Sequence, residues 1–268
     1  MTDKALLIDT HCHLNFDSYD ENRGEIVEKA ASAGVTRIII PAVDIETAHQ
    51  ALNLSQQYDG VYAAVGVHPN STANFTDETL SAIETLSHRE KVVAIGEIGL
   101  DYYWDKSSKD KQRESFEAQL ELASQRKLPV IIHNREASDD VMDVLEQWAK
   151  DLPDSLKERP GVLHSFSAPA EIAERALAIG FYLGFTGPIT FKNAEDLRRI
   201  ARTVPIDRIL VETDGPFLTP HPHRGKRPNK PEYIPFIADR LAGLHNMTLE
   251  EMAQHTTANA VRLFNLPE

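Results

Sequence analysis

The sequence predicts one α/β domain, a (β/α)8 TIM barrel, over residues 1–268. Three observations carry that expectation. Eight short apolar runs alternate with longer amphipathic segments. The runs are rich in Val and Ile and mostly lack polar alternation, as parallel strands covered on both faces do. A chain of 268 residues suits one such barrel, and no Gly/Ser-rich linker or break in composition divides it. A doubly wound open sheet is the competing architecture, but eight strand–helix units in this length favour closure.

The elements follow in order. LLID (6–9) is the first strand. ENRGEIVEKAASAG (21–34) is amphipathic and ends on Gly34, a helix C-cap. TRIIIP (36–41), VYAAVGV (61–67) and KVVAIG (91–96) are the next three strands. DKQRESFEAQLELASQRK (110–127) is a long helix with one charged and one apolar face. LPVIIH (128–133) and GVLH (161–164) are strands five and six, and PAEIAERALAIG (169–180) is helical. FYLGFTG (181–187) is strand seven, NAEDLRRIARTV (193–204) a helix and RILVETD (208–214) strand eight. PEYIPFIADRLAGL (231–244) and TLEEMAQHTTANAVRLFNL (248–266) close the chain as helices.

Hydrophobic residues at 41% and charged residues at 26% support a sizeable core and exclude a disordered chain. The first residues, MTDKALLIDT, show no basic segment followed by a long apolar one, so no signal peptide is expected. No run is long enough to span a bilayer. Cys12 is the one cysteine, which excludes an intrachain disulfide and fits a reducing cytoplasm, the expected location. No long apolar helix face is left over, so a monomer is expected. A net charge of −13 argues against non-specific nucleic-acid binding across the surface. It leaves room for a local basic site. TPHPHRGKRPNKP (219–231) carries Arg224, Lys226, Arg227 and Lys230 on a loop stiffened by four prolines.

Chemistry in such a barrel sits at the C-terminal ends of the strands. Six of the eight strands end in His, Glu or Asp. Strand one leads into Asp9, His11 and His13, which share a face of an extended chain, with Cys12 pointing away. Strand three gives His68, strand four Glu97 and then Asp101, and strand five His133 with Arg135 close behind. Strand six gives His164, and strand eight Glu212 and Asp214. Converging on one mouth, these groups would crowd titratable side chains without a counter-charge. A pair of divalent cations resolves that. Four histidines, one Glu and one Asp can hold two metals, Zn, Mn or Mg, with Glu97 as a bridge. Two such ions activate a water for ester or amide hydrolysis, and Asp214 is placed to take its proton.

The motifs DTHCHL, GVHP, GEIGLDYYWD, IIHNRE, HSFS, GPITFKN, ETDGPFLTP and PHRGKRPN occur in that order over nearly the whole chain. Together they resemble the TatD family of metal-dependent deoxyribonucleases, within the amidohydrolase superfamily. The resemblance implies a TIM barrel, a binuclear divalent-metal centre and nuclease or general phosphoesterase activity, and a DNase of exonuclease type is the function expected. It implies His11 and His13 on the first metal, Glu97 as the bridge, His133 and His164 on the second, and the strand-eight Asp214. It implies a phosphate or substrate contact for His68. Glu212 is expected either near an additional metal or behind the ligands, or else in a salt bridge to an arginine such as Arg135. Arg135, Arg224 and Arg227 are expected to hold substrate phosphates, and Tyr102, Tyr103 and Trp104 offer rings to a base or simply pack over the barrel. Gly215 and Phe217 depart from the Ser or Ala and the Tyr common in the family, which bears on substrate preference and not on the metal set. The alternative is a hydrolase of a small ester, lactone or amide in the same superfamily. Such enzymes often bridge their metals with a carbamylated lysine at the end of strand four, where this chain has Glu97 in GEIGLD.

Overall fold

The computed structural model describes residues 6–267. Eight parallel strands form one sheet in chain order: β1 (Leu7–Asp9), β2 (Val35–Pro41), β3 (Val61–Val65), β4 (Val92–Asp101), β5 (Val130–Arg135), β6 (Gly161–Leu163), β7 (Tyr182–Phe185) and β8 (Ile209–Val211). The seam between β8 and β1 is closed by single bonds. Thr10 N–H donates to Val211 O at 3.2 Å and His13 N–H to Gly215 O at 2.8 Å. Cys12 and Gly215 form a parallel bridge there. The fold is the expected (β/α)8 barrel.

Alternation along the strands divides the apolar side chains into two layers. Ile8, Ile39, Tyr62, Ala64, Ile131, Val162, Tyr182 and Leu210 pack together as the barrel interior. Their sequence neighbours, such as Ile38, Ile40, Val65, Ile132 and Leu183, pack outward against the helices. This two-sided burial is why the strands read as unbroken apolar runs.

The helical ring comprises α1 (Arg23–Ser32), α2 (Ile45–Gln57), α3 (Asp77–Ser87), α4 (Lys109–Arg126), α5 (Ser138–Ala149), α6 (Asp154–Lys157), α7 (Ala170–Ala178), α8 (Glu195–Thr203), α9 (Ile234–Leu244) and α10 (Leu249–Phe264). Start signals are local. Asp44 accepts from Thr47 N–H at 2.8 Å at the start of α2, and Ser108 accepts from Lys111 N–H at 3.3 Å at the start of α4. Losing such a cap costs about 1 kcal/mol. Helix α10 ends the chain differently from the rest. Its Ala260, Leu263 and Phe264 join the barrel interior, and Asn259 Nδ2 donates to Ile206 O and Ile209 O before and at the start of β8. It therefore plugs the N-terminal end of the barrel, which leaves the C-terminal end as the open mouth. No helix among the described residues is long and apolar enough to cross a membrane.

Candidate metal centre

Glu97 stands at the middle of the mouth and is only 2% exposed. Its two oxygens meet different imidazoles. Oε2 meets His11 Nε2 at 3.4 Å and His13 Nε2 at 3.7 Å. Oε1 meets His133 Nδ1 at 2.7 Å, His164 Nε2 at 3.1 Å and His68 Nε2 at 3.6 Å. Asp214 Oδ1 completes the first side, 3.7 Å from His11 Nε2 and 3.8 Å from His13 Nε2. Three groups of potential metal ligands result among the described residues: His11, His13 and Glu97; His11, His164 and Asp214; His68, Glu97 and His133.

The backbone positions each side chain. β1 ends at Asp9 and the chain bends at Thr10; beyond the bend, Cys12 bridges to Gly215 and the His11 and His13 Nε2 atoms lie 3.3 Å apart. Asp214 has φ 53°, a left-handed conformation that Asp tolerates better than most residues. Its N–H donates to His11 O at 2.8 Å, which ties the strand-eight carboxylate to the strand-one histidines. Behind them, buried Asp9 accepts from Thr213 N–H at 2.9 Å and from the Thr213 hydroxyl at 2.5 Å.

The donor set fits a cation. Metal–nitrogen distances near 2.1 Å in a tetrahedral site place neighbouring ligand atoms about 3.4 Å apart, and the His11–His13 pair meets that spacing. The electrostatics agree. Burial pushes the His11 pKa well below its ordinary value and that of His13 down to about 4, so both present free lone pairs at neutral pH. Burial also opposes charge on His164 and His133. Glu97 and Glu212 outweigh it at His164, and Asp101 and Glu97 at His133, so both pKa values are raised. Burial likewise opposes charge on Glu97, but the histidines around it hold its pKa well below the ordinary value. Asp214 is pushed up to about 7, chiefly by burial, with Glu97 adding to the effect.

The match to the family model described as TatD related DNase runs over residues 8–265. The chain belongs to the TatD family. A relative from Bacillus subtilis named uncharacterized metal-dependent hydrolase YabD is 46% identical, covering 97% of this chain and all of the relative. The Escherichia coli relative YcfH, of the same description, is 38% identical and covers 97% of this chain and 96% of its own. The crystal structure of YjjV, a TatD homolog from Escherichia coli, superposes with a TM-score of 0.89 at 35% identity, covering 97% of this chain and 98% of that one.

In this TatD chain the mouth opens into a cavity of about 880 Å³. His13, His68, Glu97, His133, His164 and Asp214 line its floor, and Arg135, Arg227, Trp104, Phe16 and Phe217 its walls. His11 is fully buried just beneath. Arg135 does not reach Glu212. Its guanidinium lies over the Tyr103 ring at 3.9 Å and near Trp104 at 5.8 Å. Arg224 is outside this cavity and lies over the Phe191 ring at 4.1 Å. Tyr102 is tied down by a 2.6 Å hydrogen bond to Asp140, whereas Tyr103 and Trp104 are about half exposed.

One expectation about carboxylates needs correction, and of the alternatives for Glu212 the structure takes the place behind His164. It does not follow Asp214 into the mouth, because β8 stops at Val211 and the chain turns at Asp214. Glu212 instead accepts from Ser165 N–H at 2.8 Å and faces His164 Nδ1 at 3.6 Å. Its carboxylate backs the His164 ring without a hydrogen bond between them. Asp9 points at Thr213 and not at the His11–His13 pair.

Asp101, noted at the end of strand four, carries a role that the sequence alone does not assign to it. Its Oδ2 meets His133 Nε2 at 2.9 Å, and its Oδ1 accepts from the Tyr103 and Trp104 N–H groups at 3.0 and 3.1 Å. β4 continues past the expected end at residue 96 to residue 101, which puts Glu97, Gly99 and Asp101 on one strand face. His133 and these backbone N–H groups overcome burial and bring the Asp101 pKa down to about 2.

Proposed function

We propose that this TatD protein hydrolyses phosphodiester bonds in DNA, in an exonuclease-type reaction, with two divalent cations held on either side of Glu97. The observation that supports this most is the division of imidazoles between the two Glu97 oxygens, His11 and His13 at one and His133 and His164 at the other. His11, His13 and Asp214 would hold one ion and His133 and His164 the other, with Glu97 between; Zn, Mn and Mg all suit imidazole and carboxylate donors. Bound there, the cations would polarise the phosphate and lower the pKa of a water.

The protein's own groups complete the chemistry. Asp214 Oδ1 is the proton acceptor, on a partly open carboxylate beside the histidine pair. His68 serves the substrate. Its Nδ1 accepts from Asn70 N–H at 3.1 Å, so the neutral ring carries its proton on Nε2. Burial keeps the ring neutral, with its pKa lowered to about 3. That Nε2–H, aimed into the cavity, is a donor for a phosphate oxygen and not a lone pair for a metal. Arg227 and Arg135 on the wall meet flanking phosphates, and exposed Trp104 and Phe217 offer ring faces to a base.

The discriminating experiment is a substrate panel with Mn-loaded protein. Single-stranded oligonucleotide is compared with a carboxylic ester, a lactone and a cyclic amide. Progressive shortening of the oligonucleotide, with the others intact, is the expected result. Turnover of a lactone or amide beside an intact oligonucleotide would replace the nuclease by a small-molecule hydrolase.

A further inference from the structure

A second cavity, of about 540 Å³, lies across the basic loop from the metal centre. The loop is their common wall. Phe217, Leu218 and Arg227 line the metal cavity, while His221 and Pro222 line the second. The loop is fixed in place: His221 N–H donates to the Thr190 hydroxyl at 2.8 Å, and the Thr219 hydroxyl donates to Lys226 O at 2.7 Å.

The second cavity is cationic on an acidic protein. Lys192 and Arg240 line it and are exposed. Asp239 is the one carboxylate in the lining. Arg198, also in the lining, is buried and anchored to the Ile189, Phe191 and Lys192 carbonyls and to Glu195. It fixes the wall. Arg224, over Phe191, adds positive charge at the edge. Lys192, Arg224 and Arg240 make no ion pair among the described residues. Aromatic faces accompany them. Phe236 is 38% exposed and stands 5.2 Å from the His223 ring, which stacks on Tyr233 at 4.4 Å.

Cations without an ion pair beside the exposed Phe236 ring suit single-stranded nucleic acid, whose phosphates take the charge and whose bases stack. We propose that this cavity holds a stretch of single-stranded DNA flanking the segment at the metal centre, with the strand crossing the loop past Arg227 and Arg224. The proposal rests on the nuclease reading for the chemistry at Glu97, but binding and cleavage are read separately.

The test is the affinity of a fluorescent single-stranded oligonucleotide of roughly 20 nucleotides, longer than one compact site needs, measured by anisotropy over a range of salt. The double variant Lys192→Ala/Arg240→Ala is compared with wild type, and both are also assayed on a dinucleotide. Losing two phosphate contacts should weaken binding and lower the slope of log affinity against log salt by about 0.7 per contact. Dinucleotide hydrolysis should stay unchanged. Equal affinity and slope in variant and wild type, or no binding by wild type, would overturn the second site. If wild type binds with this dependence and leaves DNA intact, the nuclease reading fails and the site stands. If wild type cleaves and the variant binds equally well, the site fails and the nuclease reading stands.

Discussion

Glu97 concentrates the account at the scale of single residues. It is buried, and the five surrounding imidazoles divide between its two oxygens. Glu97→Gln keeps the shape and removes the charge that two cations would share. The variant should retain its fold, bind less metal and lose about 3 kcal/mol or more of transition-state stabilisation, more than a hundredfold in rate. Turnover close to wild type with full metal content would remove Glu97 from the bridge. Asp214 makes a second prediction. Its raised pKa of about 7 means that, in metal-free protein at about pH 6, most of it holds a proton that a metal must displace. Metal affinity should therefore rise with pH through about 7 as this carboxylate ionises. His164, whose pKa is raised as well, adds to the protons displaced. Calorimetry in two buffers of different ionisation enthalpy counts these protons. Wild type should release them, and Asp214→Asn fewer. A pH-independent affinity with no proton release would contradict the assignment.

Gly184, on β7, shows how an element makes room for the site. A Cβ there would collide with the Glu212 carboxylate. The bare backbone of β7 thus lets Glu212 sit behind His164. Gly184→Ala should cost about 1–3 kcal/mol in stability through overpacking, and should loosen His164 as Glu212 is displaced. Thermal melts and metal content check both, and an unchanged melt with full metal occupancy would show that the contact is easily relieved. The elements differ in how plainly the sequence announces them. The strands were legible because burial on both faces leaves them as apolar runs, and the long α4 because its charged face is regular. Helices α2, α3 and α5 were not singled out. The caps of α2 and α3 pair Asp44 with Thr47 and Thr76 with Thr79, where the usual signature has Glu or Gln. Helix α5 has no side-chain cap. The clustered histidines of the mouth were legible because strand ends converge in a barrel. The role of Asp101 was not, because it depends on β4 running past Glu97. Nor was the outward turn of Arg224, which depends on the path of the loop between two cavities.

The whole molecule joins an acidic surface to a small cationic loop beside the mouth. The net charge of −13 leaves the cations around residues 219–231 as a local feature, so long strands should be steered to this loop and bound with marked salt dependence. The barrel contributes direction. Helix α10 plugs one end, and every candidate ligand stands at the other. The most direct measurement is a metal titration. Protein stripped of metal is incubated with end-labelled single-stranded DNA while Mg, Mn or Zn is added back singly, with bound metal counted in parallel. Stepwise shortening that appears as occupancy approaches two ions per chain is the predicted result. A chain that has taken up two ions and cleaves no strand with any of the three would contradict the account.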